Sequence, residues 1–349
     1  MNIKPKLSDE VCKALVGLGR TEDLKFSPDG RRLAIAGFHS NKILILEVDC
    51  SFTDSYKSVV INDFVEISTP GLKNPHGLAF LDDKTLIVAN RTGGASVLLL
   101  PLRNAEIRLV ELPDLGIFSS NQWLHSPGSI SATRLENGLC DVLICNNYAH
   151  YVSRHILDMT EPISVKHNKI LVAKGLDIPD GVSFSNDGRW IAVSNHGKHC
   201  IYLYENTPEL TQDSDPTGIL YGATYPHGVR FSADGRSIIV ADAGAPFLRI
   251  YENSHNGWAG KFDPVSSIRV MSNDLFTLGR KNPQEGGPKG IDVNESMNLL
   301  VTTSDIQPLA FFDLQEALKR GRGGESCPTS APLSRLQICL CGSGKRYKH

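Results

Sequence analysis

The chain has 349 residues and a formal net charge of −2. That length can fill a large core, and the near-balanced charge gives no footing for nucleic acid or an acidic membrane surface. Residues 1–10 carry no apolar stretch behind their lysines, and no apolar run approaches a membrane span. A soluble, cytoplasmic protein with neither a nucleic-acid nor a membrane partner is expected.

Taken in order, residues 11–19 (C-K-A-L-V-G-L-G-R) precede a segment, 22–46, that is repeated along the chain. Its pattern is a short strand, a D-G turn, a second strand, a polar loop and a third strand, because Asn, Asp and Gly tolerate the turn conformation that closes a hairpin. The copies begin E-D-L-K-F-S-P-D-G-R at 22, P-H-G-L-A-F at 75, P-D-G-V-S-F-S-N-D-G-R at 179 and P-H-G-V-R-F-S-A-D-G-R at 226. Weaker copies span 126–157 and 287–314. Repeats spaced roughly 40–50 residues apart predict a propeller. The reading is therefore an all-β chain, a six-bladed β-propeller over 11–314. A short C-terminal helix and linker follow over 315–337, then a tail over 338–349.

Residues 170–176 (I-L-V-A-K-G-L) precede the fourth copy as 12–19 precede the first. By analogy, 12–19 are expected to be the outer strand of the last blade, closing the ring and removing exposed sheet edges. Residues 252–286 are expected to be a long functional loop or lid. Cys12, Cys50, Cys140, Cys145 and Cys200 lie scattered through strand-like runs and read as reduced core thiols.

In a propeller the first strand of each blade begins, and the second ends, at one mouth of the central channel. The residues at those positions pair Asp23 with Phe38, His76 with Asn90, Pro127 with Asn146, Asp180 with Asn195, His227 with Asp242, and Lys289 with Ser304. Converging His, Asp and Asn are ligand types for a divalent cation: calcium if oxygen dominates, zinc or manganese if imidazole does. Asp180, Asp242, Asn195, Asn146, Asn90 and Asp23 are the candidate ligands, His76 and His227 the candidate proton carriers. Lys289 is either a substrate clamp or a counter-charge to Asp180 and Asp242. Asp and Asn at strand ends also bond nearby backbone, so a purely structural role competes. No G-x-S-x-G elbow, phosphate loop or dinucleotide fingerprint occurs in a supporting context.

The stretches N-P-H-G-L-A-F-L-D-D (74–83) and I-L-V-A-K-G-L-D-I-P-D-G-V-S-F-S-N-D-G-R (170–189) resemble the six-bladed propellers of the senescence-marker-protein, gluconolactonase and paraoxonase superfamily. The resemblance implies a calcium- or zinc-dependent lactonase or esterase whose ligands are Glu, Asn and Asp at the channel mouth, with a His in P-H-G turns of paraoxonases. Asp180 and His76 fall on such positions. Pro127 stands where Asn is expected, His227 where Asp is expected, and Asp23 where Glu is usual.

The tail, C-L-C-G-S-G-K-R-Y-K-H at 339–349, resembles the zinc-binding SEC-C motif found at the end of the SecA translocase. It stops at His349, one position before the motif's third ligand is due. Cys339, Cys341 and His349 with Cys327 would complete a tetrahedral zinc site. Three functions remain open. One is a metal-dependent hydrolase of a small lactone or ester; another is a non-catalytic scaffold whose face and zinc tail recruit a protein partner. The third is a binding protein for a small sugar or metabolite.

Overall fold

The computed structural model describes residues 2–53, 56–101, 108–118, 123–253 and 257–322. Six mainly antiparallel sheets are arranged as the blades of a propeller, with the first strand of each blade lining the central channel beside its neighbours' first strands.

Blade one contains Thr21–Phe26, Arg32–Gly37, Lys42–Thr53 and Tyr56–Ser68. Blade two contains Pro75–Phe80, Thr85–Asn90 and Ala95–Leu99, while Leu109–Glu111 crosses back to pair in parallel with the outer strand of blade one. Blade three runs through Pro127–Arg134, Leu139–Asn146, Tyr151–Asp158 and Ser164–Val172. Blades four and five begin at Pro179–Phe184 and Pro226–Phe231, and blade six at Ile291–Asn294. The cores lie between blades: Val182, Ile191, Val193 and Tyr204 of blade four pack on Leu143 and Val152 of blade three.

The repeat unit is held by the same turn three times. In F-S-x-D-G-R the serine hydroxyl donates to the aspartate (Ser27–Asp29, Ser185–Asp187 and Ser232–Asp234, each 2.6 Å). The aspartate in turn accepts the amide of the following arginine. Gly30, Gly188 and Gly235 take φ near +70°, the left-handed conformation that glycine adopts without strain.

The ring closes through the N-terminus, but not through 12–19. Asn2–Ile3 pairs antiparallel with Ala310–Asp313 as the outer strand of blade six. Asp9–Leu18 is instead an α-helix, started by Ser8, whose hydroxyl accepts the Val11 amide. Val11, Leu15 and Leu18 recur at helical spacing and pack onto blade one. Analogy with 170–176 fails because these apolar residues fall on one helical face.

The 252–286 segment is also more than a loop. Gly260–Phe262 adds a parallel strand to blade four, Ser266–Arg269 is the outer strand of blade five, and Asn273–Gly279 is a short helix. A C-terminal helix, Leu314–Arg322, follows blade six. Cys140, Cys145 and Cys200 are buried, and burial pushes the Cys140 and Cys200 thiols up to about 12 and about 11. Cys327, Cys339, Cys341 and His349 lie outside the described residues. No described helix is long and apolar enough to cross a membrane.

Candidate functional site at the channel mouth

Each first strand in blades one to five carries a register shift near its start: between Thr21 and Leu24, Pro75 and Gly77, Pro127 and Ile130, Pro179 and Gly181, and Pro226 and Val229. A bulge re-aims the side chain at the irregularity. Aligning these pairings places Glu22, His76, Gly128, Asp180 and His227 at equivalent positions, and Lys289 continues the series in blade six.

The glycines after the bulge let neighbouring strands approach. A Cβ on Gly181 would strike the carbonyl of His227, one on Gly77 the carbonyl of Gly128, and one on Gly228 the carbonyl of Lys289. P-x-G is therefore a steric requirement of the narrow channel as well as a turn.

Four of these side chains converge. Glu22 Oε2 lies 3.6 Å from His76 Nε2 and 3.8 Å from His227 Nε2. Asp180 Oδ2 lies 3.3 Å from His227 Nε2, and its Oδ1 3.8 Å from His76 Nε2. The two imidazoles stack with centroids 5.4 Å apart. One ligand atom from each of Glu22, His76 and His227 lies within 4.8 Å of the others.

Glu22 is 0% exposed, and its Oε2 has no hydrogen-bond partner. Burying a carboxylate oxygen without a partner is costly. Burial opposes ionisation of Glu22, yet Lys289, His76 and Arg20 hold its carboxyl well below the usual range. Burial likewise opposes ionisation of Asp180, but His227, His76 and Arg91 keep it low. Burial, reinforced by Arg91, lowers His76 well below the usual histidine range, against the upward pull of Glu22 and Asp180.

Cations border the site on two sides. Lys289 Nζ stands 3.2 Å from Glu22 and 2.7 Å from Asp305. At 1% exposure it is sealed, a counter-charge to Glu22 and Asp305 rather than to Asp180 and Asp242. Arg91 donates to His76 Nε2 and, at 3.4 Å, to Asp180 Oδ1.

The strand-end residues face elsewhere. Asn90 accepts the Lys73 amide, Asn146 that of His125, Asn195 that of Asp177, and Asp242 those of Thr224 and Tyr225. All four fasten the loop that leads into their blade's first strand, and Arg249 also pairs with Asp242. The residue after each of the three asparagines reaches the mouth instead: Arg91, Asn147 (donating to Asp180) and His196, whose Nδ1 is 3.8 Å from Asp180. Asp23 holds Lys25 and accepts the Leu78 and Leu24 amides. Glu22, the residue before it, occupies the mouth position. In blade three Gly128 takes that position, and a Cβ there would strike the Asn147 side chain.

Glu22 was discoverable from sequence. His76, Asp180 and His227 each lie four residues before a strand-end phenylalanine (Phe80, Phe184, Phe231), and counting back four from Phe26 gives Glu22.

No protein-family model matches the sequence, and no curated protein does. Among solved structures the chain is similar to a luciferin-regenerating enzyme, at 11% identity, with 85% of this chain and 92% of that chain covered and a TM-score of 0.53. It is similar to a functionally unknown protein from Desulfotomaculum acetoxidans, at 14% identity, covering 84% and 83%, TM-score 0.52. A 6-phosphogluconolactonase-like protein from Bacteroides fragilis matches at 13% identity over 71% and 69%, TM-score 0.49. The first two similarities, at TM-scores of 0.53 and 0.52, extend to the fold alone, and the reaction is left to be argued from the site.

Proposed function

We propose that the channel mouth is the active site of a divalent-cation-dependent hydrolase acting on a small lactone or ester. The observation that carries this reading is the buried, partnerless Oε2 of Glu22 between two imidazole nitrogens. Two histidines and a carboxylate are a donor set for zinc or manganese more than for calcium. Glu22, His76 and His227 would hold the ion, with Asp180 alongside.

Such an ion polarises a carbonyl and acidifies water. The chain supplies the rest. Asp180, kept ionised by its neighbours, orients the attacking water by accepting its hydrogen bond. His196 Nδ1 lies 3.8 Å from Asp180 Oδ2 and 3.3 Å from the Pro226 carbonyl, so in the Nε2–H tautomer Nδ1 is the free base at the mouth, and once protonated it donates to that carbonyl. Burial keeps His196 below the usual histidine range, opposed by Asp180, so it is neutral and able to take the water's proton at pH 7. In this reading His76 and His227 are ligands and His196 is the proton carrier.

The scaffold reading draws on a different observation: Lys289 and Arg91 already neutralise Glu22 and Asp180 from within. A lactone and ester screen with Mn²⁺ or Zn²⁺ added separates the two. Turnover that disappears in Glu22→Gln supports the hydrolase. Cation-independent turnover, or none with any ester or lactone, favours the scaffold.

A further inference from the structure

Arg91 places a cation on the lone pair that a metal ion would need. The Nε2 of His76 faces Glu22, His227 and Asp180, and it is the atom that accepts from the Arg91 guanidinium. One imidazole lone pair cannot serve both partners at once. Arg91 is nonetheless loosely tied elsewhere, since its contacts to Asp180 and to the Ser126 carbonyl are both 3.4 Å. Asp180 does not depend on it, because Asn147 donates to the same oxygen and His227 lies 3.3 Å from the other.

The guanidinium already reaches toward the rim. Its carbon lies 5.5 Å from the ring centroid of Tyr148, a side chain 68% exposed on the rim. The Arg91 side chain is 13% exposed, against 2% for Lys289, so an incoming ligand can reach it.

We propose that the mouth takes a substrate bearing a carboxylate or phosphate group, which binds Arg91 against Tyr148 and thereby frees His76 Nε2 for the cation. This rests on the cation site proposed above. Anion and cation binding are then positively coupled, and linkage requires each to tighten the other by the same factor.

The test is a titration of the full chain with Mn²⁺, with and without sulfate as the anion probe, for wild type and Arg91→Gln. The expected result is at least a fivefold tightening of Mn²⁺ binding by sulfate in wild type. Arg91→Gln is expected to bind Mn²⁺ tightly without sulfate and to show no sulfate effect. The wild-type comparison stands even if the variant fails to fold. Mn²⁺ binding that sulfate leaves unchanged in wild type, or that sulfate tightens equally in Arg91→Gln, overturns the inference and leaves the cation site standing. Absence of Mn²⁺ binding in both proteins, or Mn²⁺ binding that Glu22→Gln leaves unchanged, overturns both.

Discussion

Glu22 and His227 come from the first strands of blades one and five, yet Oε2 of one lies 3.8 Å from Nε2 of the other. They are brought together by two bulges that turn equivalent residues into one channel. The ring is thus a device for converging residues more than 200 positions apart in sequence, and its individual supports can be tested separately.

Asn195 fastens the loop that leads into blade four. Asn195→Ala removes the acceptor for the Asp177 amide (2.7 Å) and the donor to the Gly175 carbonyl (3.0 Å). A stability loss of about 2 kcal/mol is expected, with cation affinity unchanged. Chemical denaturation beside a metal titration checks this, and a large loss of cation affinity would return Asn195 to the ligand set.

Gly181 permits the close approach of blades four and five. Gly181→Ala sets a Cβ against the His227 carbonyl and 2.8 Å from Ser194 Oγ, and backbone cannot swing aside as a side chain can. A loss of about 3 kcal/mol is expected. Because the clash falls on His227, cation binding should fall as well. Denaturation midpoints equal to wild type would show that the strands are not so tightly apposed.

The ring closes on two residues. Ile3 is 8% exposed, pairs with Phe311 and packs against Leu299 and Val301. Ile3→Ala should cost about 3 kcal/mol. An unfolding free energy within experimental error of wild type would mean that blade six holds without its outer strand.

His155 makes stability pH-dependent. Burial lowers it to about 4 from 6.5, although the hydrogen bond with Asn168 acts the other way. Between those values the unfolded chain binds more protons than the folded one, so stability is full above pH 6.5 and falls as pH drops toward 4. The loss reaches about 3 kcal/mol. His155→Gln should therefore be less stable than wild type at pH 7, with a gap that narrows by pH 4. A constant gap across that range would contradict the assignment.

The blades were legible because the same physical problem, a tight hairpin followed by a strand bordering a channel, was solved with nearly the same residues at 179–189 and 226–236. The mouth was legible in blades two, four and five, where P-x-G marks the bulge. Blade one has T-E-D-L instead, and without proline or glycine to fix the register the sequence points to Asp23 where Glu22 stands. In blade three the glycine itself takes the mouth position, so the residue before it, Pro127, falls one place short. The strand-end residues were misplaced for a different reason: pairing brings them to the mouth, but their side chains turn back to the entering loop. The helix at Asp9–Leu18 was hidden because a short apolar run suits either period until its neighbours are known.

The most direct measurement is the metal content of the purified full chain, wild type against Glu22→Gln, by elemental analysis after equilibration with Zn²⁺ or Mn²⁺ and removal of excess. Any ion held by the C-terminal cysteines contributes equally to both proteins, so the difference reports the channel alone. The account predicts that wild type retains about one more ion per chain than Glu22→Gln. Equal content in the two proteins would contradict it, leaving the carboxylates of the mouth to Lys289, Arg20 and Arg91.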